Sequence, residues 1–413
     1  MDLGFKRVFE NKQGFLSIIF LIIVIPPIIL SIFSSVLGVD SEDFFKDFKI
    51  YYGWASDFLQ GKDPYKNWVD YPPSFFTFII PFTFLKIDTA ISVYFIINVI
   101  LLIVISQLFV RILEYYNVNL TTIKKIFIFI AIVLFYPNRD ILFTGQINIV
   151  IVFLTTLFYY LFFIRKEYIG ASICLSLAIF IKIWPIALIP LLFKRKKAIA
   201  AFGGIFVSFL ILFLVIFGIQ MHFEFGRTFL LLETKVASVV IPTEFESLRY
   251  SMDYNWSITH TLFKVLSFLG ITSHTLELLN TFLILPKLVI LAAIIYIILN
   301  IMDKSKEGEI LAFSLSLTWI FILANFAGSS YFAFFALPFA LTLLVLESKN
   351  TEKIMFASIF LLIPTLFAIP YLSLKIGGIA PLLVYITPPY FYVFIIWLMI
   401  LFIKIKKLKY VSI

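Results

Sequence analysis

A single cysteine, Cys174, and three histidines deprive this chain of two common frameworks. One thiol permits no internal disulfide, so cysteine usage says nothing of the redox compartment. Three histidines argue against a His-rich metal site, and no metal is expected. Charge is scarce as well. Asp, Glu, Lys and Arg make up 14% of the residues, where a soluble domain carries about 25%. Hydrophobic residues reach 62%, and 51 residues are Phe. Burying that much apolar surface from water would require a solvent other than water. A soluble chain of 413 residues would divide into two or three domains. Here residues 1–413 are expected to form one unit built across a lipid bilayer.

The net charge of +9 would suit a nucleic-acid partner, but its distribution argues otherwise. The basic residues stand in short clusters between apolar runs, as in the cytoplasmic loops of polytopic membrane proteins. No nucleic-acid partner is expected. The first apolar run, from about Gly14 to Leu37, is longer than a signal core and lacks a convincing cleavage site, so it reads as a first span.

A span needs about 20 mostly apolar residues. Candidates lie near 15–37, 89–112, 123–138, 147–164, 198–219, 276–300, 309–326, 331–346, 354–372 and 386–403. Segment 167–193 is broken by Lys182 and Pro185 and reads as two short helices in a hairpin. Segment 74–86 reads as an interfacial or re-entrant helix. The fold class is therefore an all-α polytopic integral membrane protein with about 10–12 transmembrane helices. Placing Lys6, Arg7 and Lys12 inside puts Arg165 and Lys166, Lys194 to Lys197, Lys304 and Lys306, and the Lys404 to Lys409 cluster on the same side. Both termini are then expected in the cytoplasm of a cell-membrane protein. Two long loops, 38–73 and 220–255, fall on the outer side.

The first outer loop carries seven acids. Asp47, Tyr51 and Ala55 are four residues apart and share one face of a short helix. Phe48, Tyr52 and Phe58 can hold that helix at headgroup depth. Gly61 suits a helix stop and Asp63-Pro64 a turn. Asp47 is thereby a candidate general base, although loop acids are commonly just solvated. Gly145-Gln146-Ile147-Asn148 combines a glycine for close approach with two amides suited to sugar hydroxyls. The same residues also suit an ordinary helix start. Lys182, a cation inside an apolar segment, is a candidate for a lipid phosphate or a snorkelling lysine. Asn255-Trp256-Ser257 can bind substrate or cap a helix. Gly328 to Tyr331 reads as a tight turn between spans.

In this order the pieces resemble glycosyltransferase family 87, the polyprenyl-phosphate-mannose-dependent mannosyltransferase type of the GT-C superfamily. The resemblance rests on Asp47, Tyr51, Gly61-x-Asp63-Pro64-Tyr65 and Tyr71-Pro72-Pro73, then Gly145-Gln146-x-Asn148. It continues with Ile181-Lys182-x-x-Pro185, the basic run from Lys194, and Asn255-x-Ser257, and it covers roughly residues 15–260. It implies a GT-C-like bundle with outer-face loops and interfacial helices. The implied reaction is inverting transfer of a hexose, with mannose the expected sugar, from a polyprenyl-phosphate donor to a glycolipid or glycan acceptor. Asp47 would be the base, Lys182 and Arg249 would meet the donor phosphate, and Tyr51, Asp63, Tyr65, Gln146, Asn148, Asn255 and Ser257 would bind substrate. No cofactor is implied beyond the lipid-linked sugar. Members often carry a histidine in the outer turn of a late span, where this chain has Gly328-Ser329-Ser330-Tyr331-Phe332, so another group must serve there. The competing reading is a transporter or lipid flippase. It would call for paired ionisable residues within the spans, whereas Lys182 and Lys287 have no acidic neighbour in adjacent positions. A third reading is a non-catalytic scaffold of a membrane glycan complex.

Overall fold

The computed structural model describes residues 44–67, 69–118, 120–239, 273–320, 329–345, 399–401 and 403–406. Among them every regular element is helical. The chain is an all-α membrane protein. Among the described residues, three helices are long and apolar enough to cross a membrane: Ile87–Tyr115, Asn148–Arg165 and Lys196–Phe229. The expected first span, Asp43, the stretch 240–272 with Arg249, Asn255 and Ser257, and the expected span 354–372 lie outside the described residues.

Helix α1, Lys46–Leu59, begins at Phe45, whose φ of 57° lies in the left-handed region. Its end is set by Gly61 at φ 76°. Gly61 N–H donates to the Phe58 carbonyl at 2.9 Å and Lys62 N–H to the Asp57 carbonyl at 3.0 Å. These two bonds are the Schellman pattern, which glycine permits without a Cβ clash. A 3-10 turn, Pro73–Phe75, leads into α2, Phe76–Thr83. The 11 residues of the apolar segment Pro73–Thr83 extend only about 16 Å, too short to span a bilayer.

Helix α3, Ile87–Tyr115, is the long scaffold element. The single span expected over 123–138 is instead two helices, α4 (Thr122–Leu134) and α5 (Tyr136–Thr144). Phe135 takes a ψ of 119° between them, and Pro137 stands in the first turn of α5, where its missing N–H costs no hydrogen bond. Gly145, at φ 74°, ends α5. Helix α6, Asn148–Tyr159, runs on through a π-helical turn to Arg165. Helix α7, Tyr168–Ile181, stops at Lys182, which is extended, and a 3-10 run follows over Trp184–Lys194 with Pro185 in its first turn. The break expected at Lys182 is therefore present.

Helix α8, Lys196–Val239, contains a non-helical Gly218 and is two helices in series. Residues 220–239, expected at the start of an outer loop, are helical. The described residues leave much of α8 uncovered, with Val215 at 78% exposure. Such a surface suits lipid tails. Further along the described residues come α9 (Ser273–Ile301), α10 (Lys306–Leu317) and α11 (Ala336–Val345), the last preceded by a 3-10 turn over Ser329–Phe335. Helix α7 packs between α6 and α8, and α3 packs on α6.

One end of this assembly gathers charge. Glu309 accepts from Lys166 at 3.1 Å and lies 3.9 Å from Arg195, which pairs with Asp303 at 2.9 Å. Beside them Tyr116 and Tyr159 share a 2.6 Å hydrogen bond, and Lys306 stands 4.4 Å over the Tyr115 ring. Lys166, Arg195 and Lys306, three of the basic residues expected on one side, stand together at this end. The other end of α6, about 17 Å away along its axis, holds a different cluster.

Candidate functional site

Helix α1 is fixed by aromatic packing rather than by headgroup contacts. Phe48, expected at the interface, is fully buried and stacks on Tyr94 of α3 at 4.4 Å. The reason is the turn at Gly145. A Cβ there would stand 2.8 Å from both Phe45 Cδ1 and Phe48 Cβ, so only glycine lets the two segments touch. Phe45 N–H donates to the Phe143 carbonyl at 2.9 Å and fastens the contact. Tyr51 and Ala55 are buried on the face they share with half-buried Asp47.

This approach brings Asp47 against the Gly145-Gln146-Ile147-Asn148 turn. The Gln146 side chain faces the Asp47 carboxyl, near enough to favour its charged form, and Thr144, whose hydroxyl donates to the Asp140 carbonyl at 2.9 Å, stands beside it. Burial pushes that carboxyl above the usual aspartate range, and these contacts, with Lys182 and Lys46, draw it partly back. Asn148, fully buried, donates from Nδ2 to Gln146 Oε1 at 2.9 Å and accepts from Lys182 Nζ at Oδ1 at 3.3 Å.

The polarity of this chain is forced. An ammonium only donates and a carboxylate only accepts. Asn148 must present oxygen to Lys182 and nitrogen to Gln146, and Gln146 must then present nitrogen to Asp47. Two amides thus connect a cation to an anion while keeping them out of a direct ion pair. A direct pair would spend both charges on each other.

Lys182 is 4% exposed. Its ammonium lies 3.4 Å from the Tyr71 hydroxyl, 5.0 Å from the centre of the Tyr71 ring and 4.4 Å from that of Tyr331. No ion pair within 4 Å reaches it among the described residues. The break that holds it there is supported by Ser74, whose hydroxyl donates to the Phe180 carbonyl near the end of α7. Tyr71 is held in turn by Tyr51, hydroxyl to hydroxyl at 2.8 Å, and by Phe75, stacked at 4.3 Å. Burial raises both tyrosine hydroxyls far above the ordinary phenol range, so they stay neutral.

Asp63 and Tyr65 serve this arrangement from below. Asp63 Oδ1 accepts from Tyr65 N–H at 2.9 Å, and the Tyr65 hydroxyl donates to the Tyr71 carbonyl at 2.9 Å. Their polar atoms fix the loop under Tyr71. Asp57 pairs with Lys62 at 2.8 Å, away from the cluster.

Two members escaped sequence reasoning. Half-buried Asp70, beside Tyr71, acts on Lys182 more strongly than Asp47 does. Burial pushes its own carboxyl up, against the pull of Lys182. In the sequence it was one loop acid of seven. Tyr331 lay in a segment read as a turn. Among the described residues no cluster of His, Cys, Asp and Glu could hold a metal.

The model of glycosyltransferase family 87 matches residues 68–325, which include Asp70, Tyr71, Gln146, Asn148 and Lys182 but begin after Asp47. None of the curated proteins matches the chain.

Proposed function

Because the chain belongs to glycosyltransferase family 87, we propose that it moves a hexose, with mannose the expected sugar, from a polyprenyl-phosphate carrier to a glycolipid or glycan hydroxyl. The transfer takes place at the outer face of the membrane, with inversion. The observation that carries this reading is the oriented amide chain from Lys182 to Asp47. It keeps an anion and a cation apart and available in one buried cluster.

The acceptor hydroxyl attacks the anomeric carbon while Asp47 takes its proton. The bond from that carbon to the phosphate oxygen breaks on the opposite face, and polyprenyl phosphate leaves with the electron pair. That leaving group is already weakly basic and needs charge stabilisation more than a proton. Lys182 supplies it, and Arg249 is the second candidate. Tyr51, Gln146 and Asn148 orient the site, and Asn255 and Ser257 would complete it from the second outer loop.

The test is to incubate membranes containing the protein with radiolabelled polyprenyl-phosphate mannose and candidate glycolipids. Transfer of label is expected, and Asp47→Asn should abolish it. Transfer from nucleotide sugars, with none from any lipid-linked sugar, would overturn the donor class.

A further inference from the structure

The late 3-10 turn Ser329–Phe335 brings Tyr331 into the site from the far end of the sequence. The Tyr331 side chain is 4% exposed and its ring centre lies 4.4 Å from Lys182 Nζ. Tyr71 presents a second ring to the same ammonium at 5.0 Å. Among the described residues the hydrogen-bond partners of that ammonium are neutral and distant, at 3.3 and 3.4 Å. A buried cation normally demands a contacting anion. Aromatic faces substitute in part, because the ring quadrupole attracts the charge without neutralising it. They also exclude water and limit where the long side chain can go.

We propose that Tyr331 and Tyr71 form an aromatic clamp that holds Lys182 charged, dry and aimed at an incoming anionic oxygen, with Tyr331 a positioning residue for the donor phosphate. This rests on the reading of Lys182 given above. A carboxylate in the place of Tyr331 would anchor the lysine equally well but would compete with the phosphate. Two rings keep the ammonium in place without a contacting carboxylate and leave its charge available to the ligand.

The test measures donor KM and kcat for the full-length protein in membranes, using polyprenyl-phosphate mannose. Lys182→Met should raise donor KM about ten-fold or more. Tyr331→Phe, which keeps the ring, should stay within about two-fold of the parent. Tyr331→Leu should raise donor KM by about three- to thirty-fold and add nothing further in the Lys182→Met background. Phenylalanines carrying one, two and three ring fluorines, placed at position 331, preserve shape while weakening the quadrupole, so folding is not at issue. Donor KM should climb stepwise along that series. An unchanged donor KM in Lys182→Met would sink the reading of Lys182 itself. A normal response to Lys182→Met with a flat fluorine series, or with additive effects in the double variant, would overturn the clamp alone.

Discussion

Replacing the Asp47 carboxyl with an amide keeps its shape and its place facing Gln146 but removes the ability to take a proton. Asp47→Asn is expected to lower kcat by about 10²–10⁴-fold, while donor binding persists. Asp43→Asn, four residues earlier in the sequence, should cost far less. Near-normal transfer by Asp47→Asn would refute the assignment of the base. A pH profile gives an independent reading. A base must be ionised, and burial raises the Asp47 carboxyl above the usual range. The acid limb of kcat/KM should therefore lie above the pH at which an ordinary aspartate titrates, with activity lost as pH falls through it. A limb at the ordinary position would argue against a desolvated base. At this scale Lys182 was legible because a cation in an apolar run stands out. The stretch holding Tyr331 was marked only by the missing histidine, and which of its residues serves was not legible, because the contact with Lys182 exists only after folding.

Helix α1 and the Gly145 turn are fitted to each other at the closest contact around the site. Gly145→Ala combines a strained backbone at φ 74° with a Cβ 2.8 Å from Phe45 and Phe48. The chain can accept it only by moving α1 away, which takes Asp47 from Gln146. The expected outcome is a loss of kcat together with reduced thermal stability, and a fully active, equally stable variant would disprove the fit. Phe45, held in the left-handed region at φ 57° beside this contact, marks where the backbone absorbs the constraint. Element identity was largely readable from apolar runs and breakers, as the hairpin broken at Lys182 shows. The split between α4 and α5 was not, because Pro137 with Asn138, Arg139 and Asp140 looks like the polar end of a span rather than the first turn of a second helix. The helical stretch 220–239 was missed for the opposite reason. Its polar residues look like a loop, yet they sit on a helix that continues beyond Gly218.

Across the whole molecule the two clusters at opposite ends of α6 have different duties. Glu309 ties Lys166 and Arg195 together from a buried position, while those partners remain partly exposed. Glu309→Gln should cost more than the ~1 kcal/mol of a surface pair and less than the ~3–5 kcal/mol of a fully buried one. It should show as a lower melting temperature with transfer unchanged, and a large fall in kcat without destabilisation would contradict this separation of roles. Reporter fusions at the two ends of the chain should both signal from the cytoplasm. Opposite signals would refute the orientation drawn from the basic clusters. The placement of Tyr331 over Lys182 also sets an order of events during synthesis. The ammonium and its second ring are 149 residues apart, and at ribosomal speed that is a delay on the order of 10 s. For that interval the nascent protein holds its base, its amides and its cation, but the clamp stands open on one side. Full affinity for donor should therefore arise late, once Tyr331 has reached Lys182, so that a partly made chain competes less well for lipid-linked sugar.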